Sequence, residues 1–137
     1  MAYRSAVAYL RPPFFVRKIG NRLAMRFGAG GSWTLVVRGR STGAEQHIPV
    51  VPADVDGTRH LVSTRGESEW VRNLRSAGTA ELRRKGTTER FRAVEVPVDE
   101  RGPIIDRYRA TAGRTVTTYF KRLPDAADHP TFRLEPL

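Results

Sequence analysis

Apolar residues along this chain fall into short β-branched or aromatic runs parted by polar turns, with several stretches at helical rather than alternating spacing. Tyr3, Val7 and Leu10 recur at helical spacing until Pro12-Pro13 stop any helix. Phe14 to Phe27 then sets Phe15, Ile19 and Leu23 apart from Arg22 and Arg26, predicting a second helix that Gly28, Gly30 and Gly31 end. Trp33 to Val37 reads as a buried strand. His47 to Val55 reads as a second, confined by Pro49 and Pro52 to an edge or a bulge. Asp56-Gly57 turns the chain into a third strand, His60 to Ser63, so this pairing is antiparallel.

A polar loop from Ser63 to Ser68 leads into a helix carrying Trp70, Val71 and Leu74, with Ser68 placed to cap it and Gly78 to close it. Trp70 and Leu74 lie four apart on one face, and Trp70 reads first as a core anchor. Ala80 to Arg84 is a fourth strand, and Lys85-Gly86-Thr87-Thr88 turns into a fifth, Glu89 to Val98. Asp99 is placed to cap a helix from Glu100 to Ala112, presenting Ile104, Ile105 and Tyr108. Gly113 interrupts it, a helical or irregular segment from Thr115 to Leu123 carries Tyr119 and Phe120, and Thr131 to Leu134 is a closing strand. Five strands with one central helix predict a small antiparallel barrel of the α+β class, spanning 28–137 behind a helical lead-in at 1–27.

Composition narrows the function. A chain of 137 residues with 39% apolar content suits one core. No window approaches the roughly 20 apolar residues that span a bilayer, and no secretory leader is visible, so a cytoplasmic protein is expected. Zero cysteines exclude disulfides and thiol nucleophiles, and His47, His60 and His129 stand at no metal-ligand spacing. Lys and Arg number 24 against 14 acidic residues, a net charge of +10 that attracts phosphates, anionic lipid or nucleic acid. The lead-in reads as cover for one end of the barrel, with peripheral membrane contact through residues 1–27 as the rival. Nucleic acid is not the expected partner, because the aromatics sit in helices and apolar runs rather than interleaved with basic residues on a strand face.

The turn after the first strand, Arg38-Gly39-Arg40-Ser41-Thr42-Gly43, joins guanidinium, hydroxyl and glycine backbone in a form that could hold a phosphate. It is neither a P-loop nor a dinucleotide fingerprint, and a solvated hairpin turn would look much the same.

Taken in order, Gly-Arg-Ser-Thr-Gly (39–43), His-Ile-Pro-Val (47–50), the Asp-Gly hairpin, Ser-Thr-Arg-Gly (63–66), Glu-Trp-Val-Arg-Asn-Leu (69–74) and His-Pro-Thr-Phe-Arg-Leu-Glu-Pro (129–136) resemble the deazaflavin-dependent nitroreductase family of actinobacteria. The resemblance covers nearly everything from about Gly28 onward. It implies a split β-barrel related to flavin-binding oxidoreductases, with coenzyme F420 in a groove between barrel and helix (FMN being the alternative) and hydride transfer to a quinone, nitroaromatic or other conjugated electrophile. Carried over, Arg38, Arg40, Ser41, Thr42, Gly43 and Gln46 match the phosphate and tail site, continued by His47, Ile48 and Pro49. Ser63, Thr64, Arg65 and Gly66 match the loop along the ring, with Trp70 and Asn73 behind it. Ser41 and Gln46 stand where relatives carry basic residues, which leaves Arg40 as the main anion ligand. Tyr119 is the candidate substrate wall or proton donor, and Tyr108 and Phe120 are its rivals. A carrier of a fatty acid or other anionic amphiphile is the competing function, and the assembly is either a monomer or a homodimer.

Overall fold

Seven strands form one antiparallel sheet: β1 (Trp33–Arg38), β2 (Glu45–Val50), β3 (Ala53–Val55), β4 (Thr58–Val62), β5 (Thr79–Arg84), β6 (Thr87–Glu95) and β7 (Thr131–Pro136). The computed structural model describes residues 32–137, so the two lead-in helices expected from the sequence lie outside the described residues. Strand order across the sheet is β2-β1-β5-β6-β7-β4-β3, which makes β2 and β3 its two edges. Those edges are consecutive in the chain. Val50 faces Trp33 on β1, whereas Ala53, three residues on, faces His60 on β4. Three residues span at most roughly 10 Å, so the sheet must curl until its edges meet, as the split barrel requires.

The structure divides the single second strand expected from His47 to Val55 at Val51-Pro52. Pro52 has no amide to donate, so the ladder breaks where the chain changes partner. β6 ends at Glu95, two residues before Pro97, rather than at Val98. Asp99 is not a helix cap: it lies inside a 3-10 turn, Val98–Glu100, and the helix that follows, α2 (Gly102–Ala112), begins at Arg101 with Pro103 in its first turn. Proline's fixed φ favours that start over one two residues earlier.

Two cores lie on either side of the curled sheet. Inside, Trp33, Leu35 and Val37 alternate inward along β1 and meet Leu82, Phe91, Phe132 and Leu134. Helix α1 (Glu69–Ala77) closes this core with Val71 and Leu74, while Trp70 packs partly buried against it, 6.1 Å from the Phe132 ring. The second core joins Ala53, Val62 and Val96 to Ile104, Ile105 and Tyr108 of α2 and to Val116 and Phe120 around α3 (Thr117–Arg122). Among the described residues no helix is long and apolar enough to cross a membrane.

Leu74 is wholly buried between α1 and the barrel. Leu74→Ala is expected to cost about 2–5 kcal/mol, the range for a leucine truncated in a close-packed core, read as a lower urea midpoint with unchanged slope.

Candidate functional site

The turn after β1 and the loop after β4 are far apart in sequence, and α1 brings them together. Its ends are fixed by backbone geometry: Gly78 takes φ +76 and donates its N–H to Leu74 O at 2.8 Å, closing the helix. At the other end Ser68 occupies the cap position in extended conformation, yet its hydroxyl makes no capping bond. Its backbone N–H instead donates to Gly66 O at 2.8 Å, which ties the helix start to the loop.

Asn73, buried on α1, is the hub. Its Oδ1 accepts from the Arg40 backbone N–H at 3.0 Å and from Arg40 Nη1 at 2.8 Å, and its Nδ2 donates to Gln46 Oε1 at 2.7 Å. Arg40 Nη1 also reaches Glu69 Oε1 at 2.9 Å. So Arg40, Gln46 and Asn73 are drawn together. Arg38 is not part of that group: its Nη1 folds back onto Gly43 O at 2.8 Å and braces the turn. The turn is closed by Gly39 N–H to Ala44 O at 2.7 Å and Gly43 N–H to Gly39 O at 3.0 Å, with Gly43 at φ +76. Thr42 Oγ1 accepts from Ala44 N–H, and Ser41 and Thr42 face solvent. Along β2, Ile48 turns into the barrel core, whereas His47 is exposed beside Glu45, and Pro49 pairs opposite Thr34.

That loop is held from within and from α2 and α3. Ser63 Oγ donates to Gly66 O at 2.5 Å, and Gly66 sits buried at φ +89, a conformation that side chains rarely adopt. Thr64 Oγ1 and Tyr108 OH are 2.6 Å apart, and Arg65 Nη2 donates to Tyr119 OH at 3.3 Å with its guanidinium 5.2 Å from the ring centre. Burial pushes the Tyr108 phenol up, against the opposing pull of the Thr64 hydrogen bond and the Arg65 charge. Of the three aromatic candidates, Tyr108 and Phe120 are buried in the second core, and Tyr119 alone keeps partial exposure.

Sequence reasoning missed the charge network behind this loop. Arg75 forks onto Glu67 (2.5 and 3.0 Å) and onto Glu95 (2.8 and 2.7 Å), which raises its affinity for its proton. Arg101, itself buried, reaches Glu95 at 3.3 Å and donates to Val96 O, Ala126 O and His129 O. The partners lie 8, 20 and 6 residues apart in the chain, spacings that carry no periodic signal. Among the described residues no group of three or more His, Cys, Asp or Glu could hold a metal ion.

The donor set fits an anionic, flat cofactor. Arg40 already grips a carboxylate, and that carboxylate, Glu69, is 63% exposed, so an external anion can exchange for it. Gly66 is buried with its carbonyl held by Ser63 Oγ and Ser68 N–H, and Trp70, four residues on, is half-buried.

The family model for the F420H(2)-dependent quinone reductases matches residues 12–124. Among solved structures, an F420-H2 dependent reductase superposes with a TM-score of 0.59 at 16% identity, over 77% of this chain and 94% of that one. A heme storage protein from Vibrio cholerae gives 0.60 at 13% identity, over 85% and 89% of the two chains. An FAD-binding protein from Mesorhizobium loti gives 0.52 at 12%, over 92% and 90%. At such identities these likenesses show the fold, and no curated protein is significantly similar. The family match covers most of the chain, including both junctions on α1, and the chain belongs to the F420H(2)-dependent quinone reductase family of oxidoreductases, with F420 as its cofactor.

Proposed function

We propose that the enzyme reduces a quinone, nitroaromatic or other conjugated electrophile, with the Arg38–Gln46 turn as the site for the cofactor's phosphate and tail and Ser63–Asn73 as the slot for its ring. The observation that carries this reading is the Asn73 hub, which makes the Arg40 turn and the helix after the Ser63 loop one surface. Reduced F420, when bound, supplies the hydride. The protein's share is to anchor the anion at Arg40, keep the slot's backbone rigid through Ser63 and Gly66, and limit water with Trp70 and Tyr119. Gln46 stands where relatives carry a basic residue, and here its side-chain oxygen accepts from Asn73. An arginine has no acceptor to offer there, so position 46 contributes orientation of Arg40 in place of charge. The quinone also needs a proton on oxygen, and the Tyr119 hydroxyl, held by Arg65, is the donor we assign.

A heme reading, suggested by the Vibrio cholerae neighbour, finds little support in the three histidines. Both ring nitrogens of His129 face carbonyl oxygens, His60 is buried with Nδ1 on Thr58 O, and His47 is paired with Glu45 on the β2 edge.

Purified protein mixed with reduced F420 and menadione should oxidise the cofactor; neither binding nor turnover would end this reading, and a copurified acyl chain in native mass spectra would favour the amphiphile carrier. Arg40→Ala is expected to weaken F420 binding on the order of tenfold, the loss of one charge-assisted hydrogen bond. Glu69→Gln, by removing the competing carboxylate, should tighten it, both read by fluorescence titration. If Arg40→Ala binds like wild type, the anion lies elsewhere. Tyr119→Phe should lower kcat with menadione by roughly 100-fold while leaving F420 affinity in place, as loss of a general acid does. A raised KM at unchanged kcat would demote Tyr119 to a wall of the acceptor site.

A further inference from the structure

His129 is fully buried, and both of its ring nitrogens point at backbone carbonyls: Nδ1 lies 2.8 Å from Ser63 O and Nε2 lies 2.6 Å from Leu123 O. A carbonyl oxygen only accepts, and a neutral imidazole carries one N–H, so only the imidazolium donates to both. The two carbonyls belong to the two walls of the site. Ser63 begins the loop whose next residues, Thr64 and Arg65, hold Tyr108 and Tyr119. Leu123 ends α3, which carries Tyr119, and its N–H donates to Tyr119 O at 2.9 Å.

One stacking contact fixes the ring, and two hydrogen bonds fix the main chain around it. Phe120 stacks on it at 4.2 Å and 24°, Thr131 Oγ1 donates to its backbone oxygen at 2.9 Å, and Pro130 O accepts from Ser63 N–H at 2.9 Å. The charged and titratable groups around it are of both signs. Arg101 approaches its main chain at 3.4 Å, Arg109 lies over Phe120 at 4.8 Å, and Tyr108 packs on the same phenyl ring at 6.3 Å. Asp125 and Asp128 flank it on its own segment, and among the described residues no carboxylate hydrogen-bonds the imidazole. Two carbonyl dipoles therefore have to hold the charge. When the proton leaves, one of the two contacts becomes oxygen against a nitrogen lone pair.

We infer that His129 is a positioning residue whose imidazolium cross-links the loop after β4 to the end of α3, so that one proton sets the spacing between the cofactor slot and the Tyr119 wall. This rests on the reading of Ser63–Gly66 as the ring slot. The cross-link itself does not. The imidazolium is the state that satisfies both carbonyls, so it is the state that holds the two walls in register.

Two substitutions divide the bridge, because an asparagine amide nitrogen stands near Nδ1 and a glutamine amide nitrogen near Nε2. His129→Gln, which keeps only the Leu123 contact, should weaken F420 binding on the order of tenfold, as when a buried acceptor loses a charged donor. His129→Asn, keeping the Ser63 contact, should retain affinity but raise KM for menadione. In wild type, long-range 1H–15N spectra of the ring should show both nitrogens protonated. The amides of Thr64–Gly66 should shift in His129→Gln and those of Tyr119–Leu123 in His129→Asn. A single neutral tautomer in the folded protein, or no shift at either wall in the variants, overturns the inference. Absence of F420 binding by wild type would sink the ring-slot reading instead, and the spectra would still decide the bridge.

Discussion

Chain continuity across Val51-Pro52 is the constraint on which this fold turns. Because β2 and β3 are the two edges of the sheet and only two residues separate Val50 from Ala53, the sheet has no flat solution. Curling gives it an inside, which α1 plugs with Val71 and Leu74, and an outside, on which α2 and α3 settle. The pairing of β4 with β7 runs on to Ser63 N–H on Pro130 O, and so creates the corner from which the loop after β4 is held.

What the barrel leaves loose, buried polar groups secure. Asn73 holds the turn after β1 to α1, the Arg75–Glu95–Arg101 network runs from Glu67 to the 126–129 backbone, and His129 returns to Ser63. No buried side-chain nitrogen or oxygen among the described residues lacks a hydrogen-bond partner, so the site stands on a satisfied frame. A frame of this kind favours one arrangement, because opening any link exposes a desolvated donor or acceptor at a cost of about 1–3 kcal/mol.

Much of this was legible in the sequence, for physical reasons. The alternation along Trp33–Val37, the Asp56-Gly57 turn and the helix closed by Gly78 are local codes, and each appears within two residues of its expected place. Proline was half legible. Pro49 and Pro52 marked a disturbed strand, but only the sheet order shows that the disturbance is the seam of the barrel. At Asp99 the capping preference of aspartate competed with the fixed φ of Pro103, and the proline set the helix start. The site residues divide the same way. A glycine-bearing turn with Arg40 can be read locally, whereas the bond from Tyr108 to Thr64 spans 44 residues and that from His129 to Ser63 spans 66, and no periodicity reports such pairs.

Charge is where burial decides role. Arg40 and Arg75 are both arginines that contact a glutamate, yet Arg75 holds two carboxylates through two forked contacts, with Glu67 and Glu95 only 16% and 33% exposed. Arg40 meets one carboxylate through a single nitrogen, and that carboxylate is 63% exposed. A solvated single pair contributes no more than about 1 kcal/mol, so giving it up for an incoming phosphate costs little, while dismantling the doubled fork would unseat the loop. The excess of positive charge in the chain is therefore not uniformly available to ligands. It is committed to structure around Arg75 and Arg101, whereas Arg40, held by Asn73, keeps only a solvated carboxylate as its charged partner.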